Sequence, residues 1–293
     1  MFILFLLLGL YVTAMAGIAY LFAYPMRTPL FLSPGFLGAP QEWVEFDDPS
    51  TGLKLRGWWV PCSSPKGVVI CAHGYMMNRA EMAPLAPRLL ENGYASLYFD
   101  FPACGASQGR KSGLGWRERT AVLAACAWVR AKHPGVPVAL IGSSMGSAAS
   151  AFALAEDSSC ADVLILDSAY DHLSSAIDGW WNFLGGKKMQ ILLKPVIYLG
   201  IPILGLNPFR IRVSDALSKI GKPTLVLHGD RDSLALPKAA EGNFASLKGP
   251  KKLVWFTGRN HSEARWEDPE KYFEEVLGFL REHFQSGIGH NQH

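Results

Sequence analysis

Three short stretches carry residue types that could together do nucleophilic chemistry: GSSMG at 142–146, HGDRD at 228–232 and RNHSE at 259–263. A serine hydroxyl becomes a useful nucleophile when a histidine takes its proton and a carboxylate holds that histidine in the right tautomer. GSSMG fits G-x-S-x-G, but so does GASQG at 105–109, and only context separates the two. A nucleophile turn needs a strand that ends abruptly and passes straight into a helix. Its glycines stand where side chains would strike the neighbouring strand and helix. VALI-GSSMG-SAASAFALAE supplies strand, turn and helix, whereas GASQG follows its strand only after Pro102-Ala103-Cys104 and leads into the loop RKSGLG. GASQG therefore reads as a loop. Gly142 and Gly146 bracket Ser144, while Ser143 would need glycine where Ile141 and Met145 stand. Ser144 is the candidate nucleophile; for a lone motif, a purely structural strand–turn–helix is the plain alternative.

Partners follow in the order serine, acid, histidine. HGDRD comes after the apolar strand PTLVL and offers Asp230 and Asp232; RNHSE comes after KKLVWF and offers His261. Loops after two successive late strands of a parallel sheet can both reach a serine exposed at that sheet edge. Asp232 is preferred over Asp230 because it lies deeper in the loop, and Asp167, ending LILD, is a weaker substitute. Two backbone N–H groups would stabilise an oxyanion: Met145, which follows the serine, and Tyr75, in the loop after the HG pair. His73 and His228, each ending a strand, read as loop-shaping groups. The remaining histidines lack metal-ligand spacing and HExxH is absent, so neither a metal nor an organic cofactor is expected.

The elements that would position these residues follow a clear rhythm. EWVEFDDPSTGLKLRGWWVP reads as two strands around an Asp-Pro-Ser-Thr-Gly turn, an antiparallel entry to a sheet. From Gly67 onward, unalternated apolar runs (GVVICAHG, YASLYFDF, PVALIG, ADVLILD, PTLVLHGD, KKLVWFTG) alternate with helical segments. That rhythm predicts a mostly parallel sheet covered by helices on both faces. It breaks over 168–222, which is rich in aromatics and interrupted by Pro195 and Pro202, and is read as an inserted cap. A second membrane span at 189–206 is the alternative; Lys194 and the two prolines oppose it.

Residues 1–24 carry no charged side chain before Arg27 and exceed the length needed to cross a hydrocarbon core. Ala14-Met15-Ala16 could serve a signal peptidase, yet no basic region precedes the apolar run, and the run continues to Tyr24. An uncleaved, single-pass N-terminal membrane anchor is the favoured reading, with Tyr20, Phe22 and Tyr24 resembling an interfacial belt. Arg27 alone leans toward a cytoplasmic catalytic domain. The chain thus divides into an anchor (1–24), an extended Pro-rich linker (25–41), a catalytic domain (42–285) and a disordered tail (286–293). Five widely spaced cysteines without C-x-x-C indicate neither a disulfide framework nor a zinc site. A net charge of +3 with no concentrated basic patch gives no sign of nucleic-acid binding.

Taken together, HGYMMNR, FDFPACGASQG, GSSMG, LHGDRD and NHSEA resemble the α/β-hydrolase superfamily, especially its serine-aminopeptidase-like esterase branch, over roughly Glu42 to Phe284. The resemblance implies the α/β-hydrolase fold and a Ser144–His261–Asp232 triad. It departs from the usual pattern at Pro102-Ala103-Cys104, which bears on pocket shape. The leading expectation is a membrane-anchored serine hydrolase of small carboxylic esters, with acyl or lipid-like substrates suggested by the apolar cap. A peptidase or amidase using the same triad is one alternative. A non-catalytic, membrane-tethered scaffold is another, disfavoured by an intact triad. Oligomeric state is not legible.

Overall fold

The computed structural model describes residues 1–286. Among them eight strands form one sheet: β1 (Glu42–Asp48), β2 (Leu53–Val60), β3 (Gly67–Ala72), β4 (Tyr94–Phe99), β5 (Val138–Ser143), β6 (Val163–Asp167), β7 (Thr224–Gly229) and β8 (Lys251–Phe256). Their spatial order is β1-β2-β4-β3-β5-β6-β7-β8. β1 and β2 are the antiparallel pair expected around the Asp-Pro-Ser-Thr-Gly turn, and β2 joins β4 antiparallel. From β4 to β8 every pairing is parallel.

Helices cover both faces, which is why the central strands carry unalternated apolar runs. Side chains of a strand alternate between faces. Val68, Ile70 and Ala72 of β3, with Leu140 of β5 and Leu164 of β6, join one core; Val69, Cys71, Ile141 and Ile165 join the other. The second core is closed by α2 (Leu85–Glu91) and by the helix ending the described chain, Pro269–Ser286. The first core is closed by α3 (Arg119–Lys132) and α4 (Met145–Glu156). Each surface buried this way stabilises the sheet by roughly 25 cal/mol per Å² of apolar area.

Between β6 and β7 the chain leaves this rhythm for α5 (Leu173–Leu193), α6 (Pro195–Leu204) and α7 (Val213–Leu217). α5 is bent where Gly185 and Gly186 leave helical geometry, and Lys194 separates it from α6. The alternative span at 189–206 is thus divided between two helices. After β7 come α8 (Pro237–Ser246) and, beyond β8, α9 (Ala264–Glu267) and α10, the Pro269–Ser286 helix.

The N-terminal helix α1 (Phe2–Ala23) is, among the described residues, the one helix long and apolar enough to cross a membrane. Its two halves differ. Residues 1–10 are exposed on all sides, whereas Met15, Ala19 and Ala23 are buried, with Ala19 and Ala23 at most 2% exposed. The second half packs on α6, where a methyl group added at Gly200 would lie 3.8 Å from the Ala19 Cβ. The segment after α1 runs extended apart from a turn at 34–38. Arg27 fastens it by donating to the carbonyls of Cys104, Gly105 and Gly109 at 2.7–2.9 Å. The expectation for the tail lies, beyond Ser286, outside the described residues.

Candidate active site

The turn from β5 into α4 holds Ser144 at φ +50°, in the left-handed region that non-glycine residues rarely enter. Its glycines are sterically required. A Cβ on Gly142 would lie 2.3 Å from the Gly146 carbonyl carbon, and one on Gly146 would lie 2.2 Å from the Ala72 carbonyl oxygen. Glycine at 146 lets the turn sit directly against β3, and glycine at 142 lets the first turn of α4 fold back over the end of β5. The Ser144 N–H donates to the Asp167 carbonyl at 2.8 Å, which holds the strained residue in place.

Ser144, His261 and Asp232 come together at the carboxyl ends of β5, β8 and β7. The Ser144 hydroxyl lies 2.8 Å from His261 Nε2, and His261 Nδ1 lies 2.7 Å from Asp232 Oδ2. Because an ionised carboxylate only accepts, Nδ1 carries the proton and donates to Asp232, leaving the Nε2 lone pair for the serine O–H. The second Asp232 oxygen accepts from the N–H groups of Leu234 and Ala235 at 2.9 and 2.8 Å. Asp232 is buried, so those bonds keep the carboxylate from turning away. Asn260 ties the two loops together: its side-chain Oδ1 accepts from the N–H groups of Ser233 and His261.

The other candidates fall elsewhere. Asp230 accepts from the Gly258 N–H at 2.7 Å and is exposed. Asp167 is buried and accepts from Arg265 at 3.0 Å and the Tyr272 hydroxyl at 3.1 Å. The Ser143 hydroxyl donates to Glu81 at 2.7 Å and makes no bond to His261. Ser107, of the GASQG loop, donates to the Asp100 carbonyl at 2.7 Å and is buried. His228 Nε2 lies 2.7 Å from the Ala235 carbonyl. His73 receives the Phe101 N–H on Nε2 at 3.0 Å, so its Nδ1–H donates to the Gly74 carbonyl at 2.7 Å. Burial pushes both histidines below their ordinary value of 6.5, which keeps them neutral.

Tyr75 and Met145 both line a narrow, largely apolar cleft that opens onto Ser144. Neither backbone N–H donates to another group among the described residues. The rest of the lining is apolar, including Phe22 from α1, Leu114, Ile177 and Trp180 from α5, and Leu234. The Tyr75 hydroxyl donates to the Phe22 carbonyl at 2.8 Å, so α1 is fastened to the loop that carries this N–H.

Beneath the site lies a charged cluster that no sequence motif marks. Arg265, on α9, pairs with Glu81 and, at 3.0 Å, with Asp167; all three are buried. Glu81 also accepts from the Gly74 N–H at 2.6 Å and the Ser143 hydroxyl at 2.7 Å. Burial alone would push the Glu81 carboxyl up, but Arg265, the Gly74 N–H and Ser143 outweigh it and hold the group below its usual range. Burial pushes Asp167 up against the same guanidinium. The cluster thus joins the loop before Tyr75, the residue before Ser144 and the segment after His261. The signal available in sequence was only a carboxylate and a guanidinium within eight residues of HG and NHSE respectively.

No cluster able to hold a metal ion occurs among the described residues. With this geometry in hand, residues 63–196 match the family described as serine aminopeptidase, S33. An uncharacterized protein, YqkD, of Bacillus subtilis (strain 168) is 25% identical over 237 residues, covering 78% of this chain and 76% of that protein. The Pyrococcus furiosus esterase Pf2001 superposes with a TM-score of 0.74 at 24% identity, over 90% of this chain and 98% of that one. Est1E from Butyrivibrio proteoclasticus, solved with ferulic acid bound, gives 0.62 at 22% identity, over 83% and 99%. These structural likenesses establish the fold.

Proposed function

We propose that the chain is a member of the α/β-hydrolase superfamily and, within it, a serine hydrolase of small carboxylic esters. The observation that carries this reading is the continuous line from Ser144 Oγ through His261 to Asp232, at 2.8 and 2.7 Å. Ser144 Oγ attacks the acyl carbon while His261 Nε2 takes its proton. The carbonyl oxygen, now negative, is held by the N–H groups of Tyr75 and Met145. As the tetrahedral adduct collapses, His261 returns the proton to the leaving alkoxide, giving alcohol and acyl-Ser144. Water, deprotonated by His261, then attacks the acyl carbon; the acyl–Oγ bond breaks, His261 returns the proton to Ser144 Oγ, and the acid is released. Asp232 stabilises the imidazolium in both halves without itself taking the proton.

The pocket favours an ester over a peptide with a free amine. An α-ammonium group would need a carboxylate near the acyl site, and the cavity lining holds none. Its apolar walls suit an acyl or aromatic group, with α5 and α6 acting as the cap over it. We further read α1 as an uncleaved membrane anchor. Met15, inside the Ala14-Met15-Ala16 stretch, is buried, and the Tyr11 hydroxyl donates to the Leu192 carbonyl at 2.6 Å. Cleavage there would strip contacts from the cap.

A panel of p-nitrophenyl esters beside aminoacyl p-nitroanilides tests the reading. Turnover of short esters, with anilides slower by orders of magnitude, is expected. Anilide turnover without ester turnover would replace the esterase with a peptidase, and no turnover of either class would return the scaffold.

A further inference from the structure

The proposed membrane attachment leaves open how much of α1 enters lipid, and the packing of α1 bears on this directly. We infer that the hydrocarbon boundary lies at the level of Tyr11 and Leu192: residues 1–10 enter an anionic bilayer leaflet with the apolar end of α5 at its surface, while the rest of α1 stays outside as a wall of the active-site pocket. This deepens the membrane attachment proposed above and rests on it.

Four observations lead here. First, the second half of α1 is committed to the protein. Tyr11 bonds to Leu192, Ala19 faces Gly200, the Phe22 carbonyl accepts from the Tyr75 hydroxyl, and the Ala23 carbonyl accepts from the Ser112 N–H at 2.9 Å. Phe22 also packs its ring on those of Tyr75 and Trp181, at 5.5 and 4.8 Å between centroids. Drawing this half into lipid would open the pocket and strand those groups without partners. Second, residues 1–10 touch nothing of the kind; Phe2, Ile3 and Leu4 are 80%, 70% and 69% exposed. Water is a poor surrounding for such a surface.

Third, the pairings run in one direction, Tyr11 to Leu192 and Ala19 to Gly200, so residues 1–10 project past the Leu192 end of the cap. There the side chains of Leu184, Met189, Ile191 and Leu192 are also exposed, extending the apolar surface around the emerging helix. Fourth, charges flank this level. Lys187, Lys188 and Lys194 are all exposed and lie within five residues of Leu192 in the chain. An ammonium group is stable at the headgroup layer, where a long stem lets it reach anionic phosphates, and is costly deeper. Carrying the whole of α1 into hydrocarbon would carry Lys194 with it. Tyr11, an amphipathic ring with its hydroxyl bonded, suits the interface.

The test uses the full chain in vesicles of phosphatidylcholine and phosphatidylglycerol. Half-exposed Cys62 is first changed to serine, the other four cysteines being buried. Leu6→Cys and Leu21→Cys are then treated with a membrane-impermeant maleimide on the side of the catalytic domain. The inference expects Leu21→Cys to label as fast as it does in the absence of vesicles and Leu6→Cys to be protected at least tenfold. Protection of both sites would overturn the boundary while keeping the membrane attachment. Labelling of both would overturn the attachment itself. As a second readout, an environment-sensitive dye on Ile191→Cys should shift to the blue on vesicles, and Lys187→Glu with Lys188→Glu should reverse that shift while Leu6→Cys stays protected. An unshifted dye would remove the cap from the lipid surface and overturn the inference.

Discussion

Arg265 and Glu81 pair inside the protein, beneath the Ser144 turn, although 184 residues separate them in the chain. Through Glu81 the pair holds the Gly74 N–H and the Ser143 hydroxyl, and through α9 it holds the segment that carries His261. One buried ion pair therefore fixes the relative position of three loops that must cooperate on a single acyl carbon.

Glu81→Gln removes the charge that balances Arg265 and leaves Asp167 as its remaining partner. Breaking a buried pair costs about 3–5 kcal/mol when nothing compensates, so Asp167 should keep the loss at or below that range in thermal unfolding. Loosened loops should lower kcat by on the order of 100-fold, as small misplacements of catalytic groups do, with KM little changed. A lower melting temperature with unchanged kcat would show that the cluster serves stability alone.

Asp232→Asn should reduce kcat by about 10⁴-fold, because an amide cannot hold the required tautomer of His261. Asp230→Asn, altering a group that only accepts from Gly258, should leave kcat within about twofold, as surface changes remote from a site do. Comparable losses in both variants, read in one ester assay, would undo the assignment of the acid.

His73 and His228 make stability depend on pH. Burial lowers both below 6.5, and for His73 it outweighs the opposing pull of Asp100, Glu81 and Glu118. Above 6.5 both folded and unfolded states hold neutral histidine, and the contribution is complete. As pH falls below 6.5 the unfolded chain binds protons that the folded chain refuses. Stability should then drop by up to about 1.4 kcal/mol per pH unit for each histidine until the folded values are reached. Melting temperatures from pH 7.5 to 5.5 should fall. A flat or rising profile would contradict the neutral, buried state of both.

Trp180 lines the pocket that opens onto Ser144, and its ring lies 6.1 Å from that of Phe22. Trp180→Ala should shift preference toward longer acyl chains, with kcat/KM rising on the order of fourfold per added methylene that the enlarged pocket accepts. An unchanged chain-length profile would place the acyl group elsewhere.

What could be read from sequence follows physical rules. The parallel sheet was legible because strands buried on both faces, such as VVICA and LIL, carry unbroken apolar runs. Ser144, Asp232 and His261 could be named because glycine register and loops after strands constrain where such side chains can meet. Glu81 and Arg265 left no such trace. They sit in MNRAEM and SEARWE, where charged residues read as ordinary solvated faces until the fold buries them. The docking of α1 was equally hidden: a helix apolar on every side offers no stripe to say which side meets protein and which meets lipid.

The most direct measurement treats the intact protein with a fluorophosphonate, digests it and locates the adduct by mass spectrometry. A serine activated by His261 should carry a single phosphonyl group on the peptide containing GSSMG, at Ser144, and Ser144→Ala should take up none. An adduct on another residue, or equal labelling of the two proteins, would contradict the nucleophile on which the whole account depends.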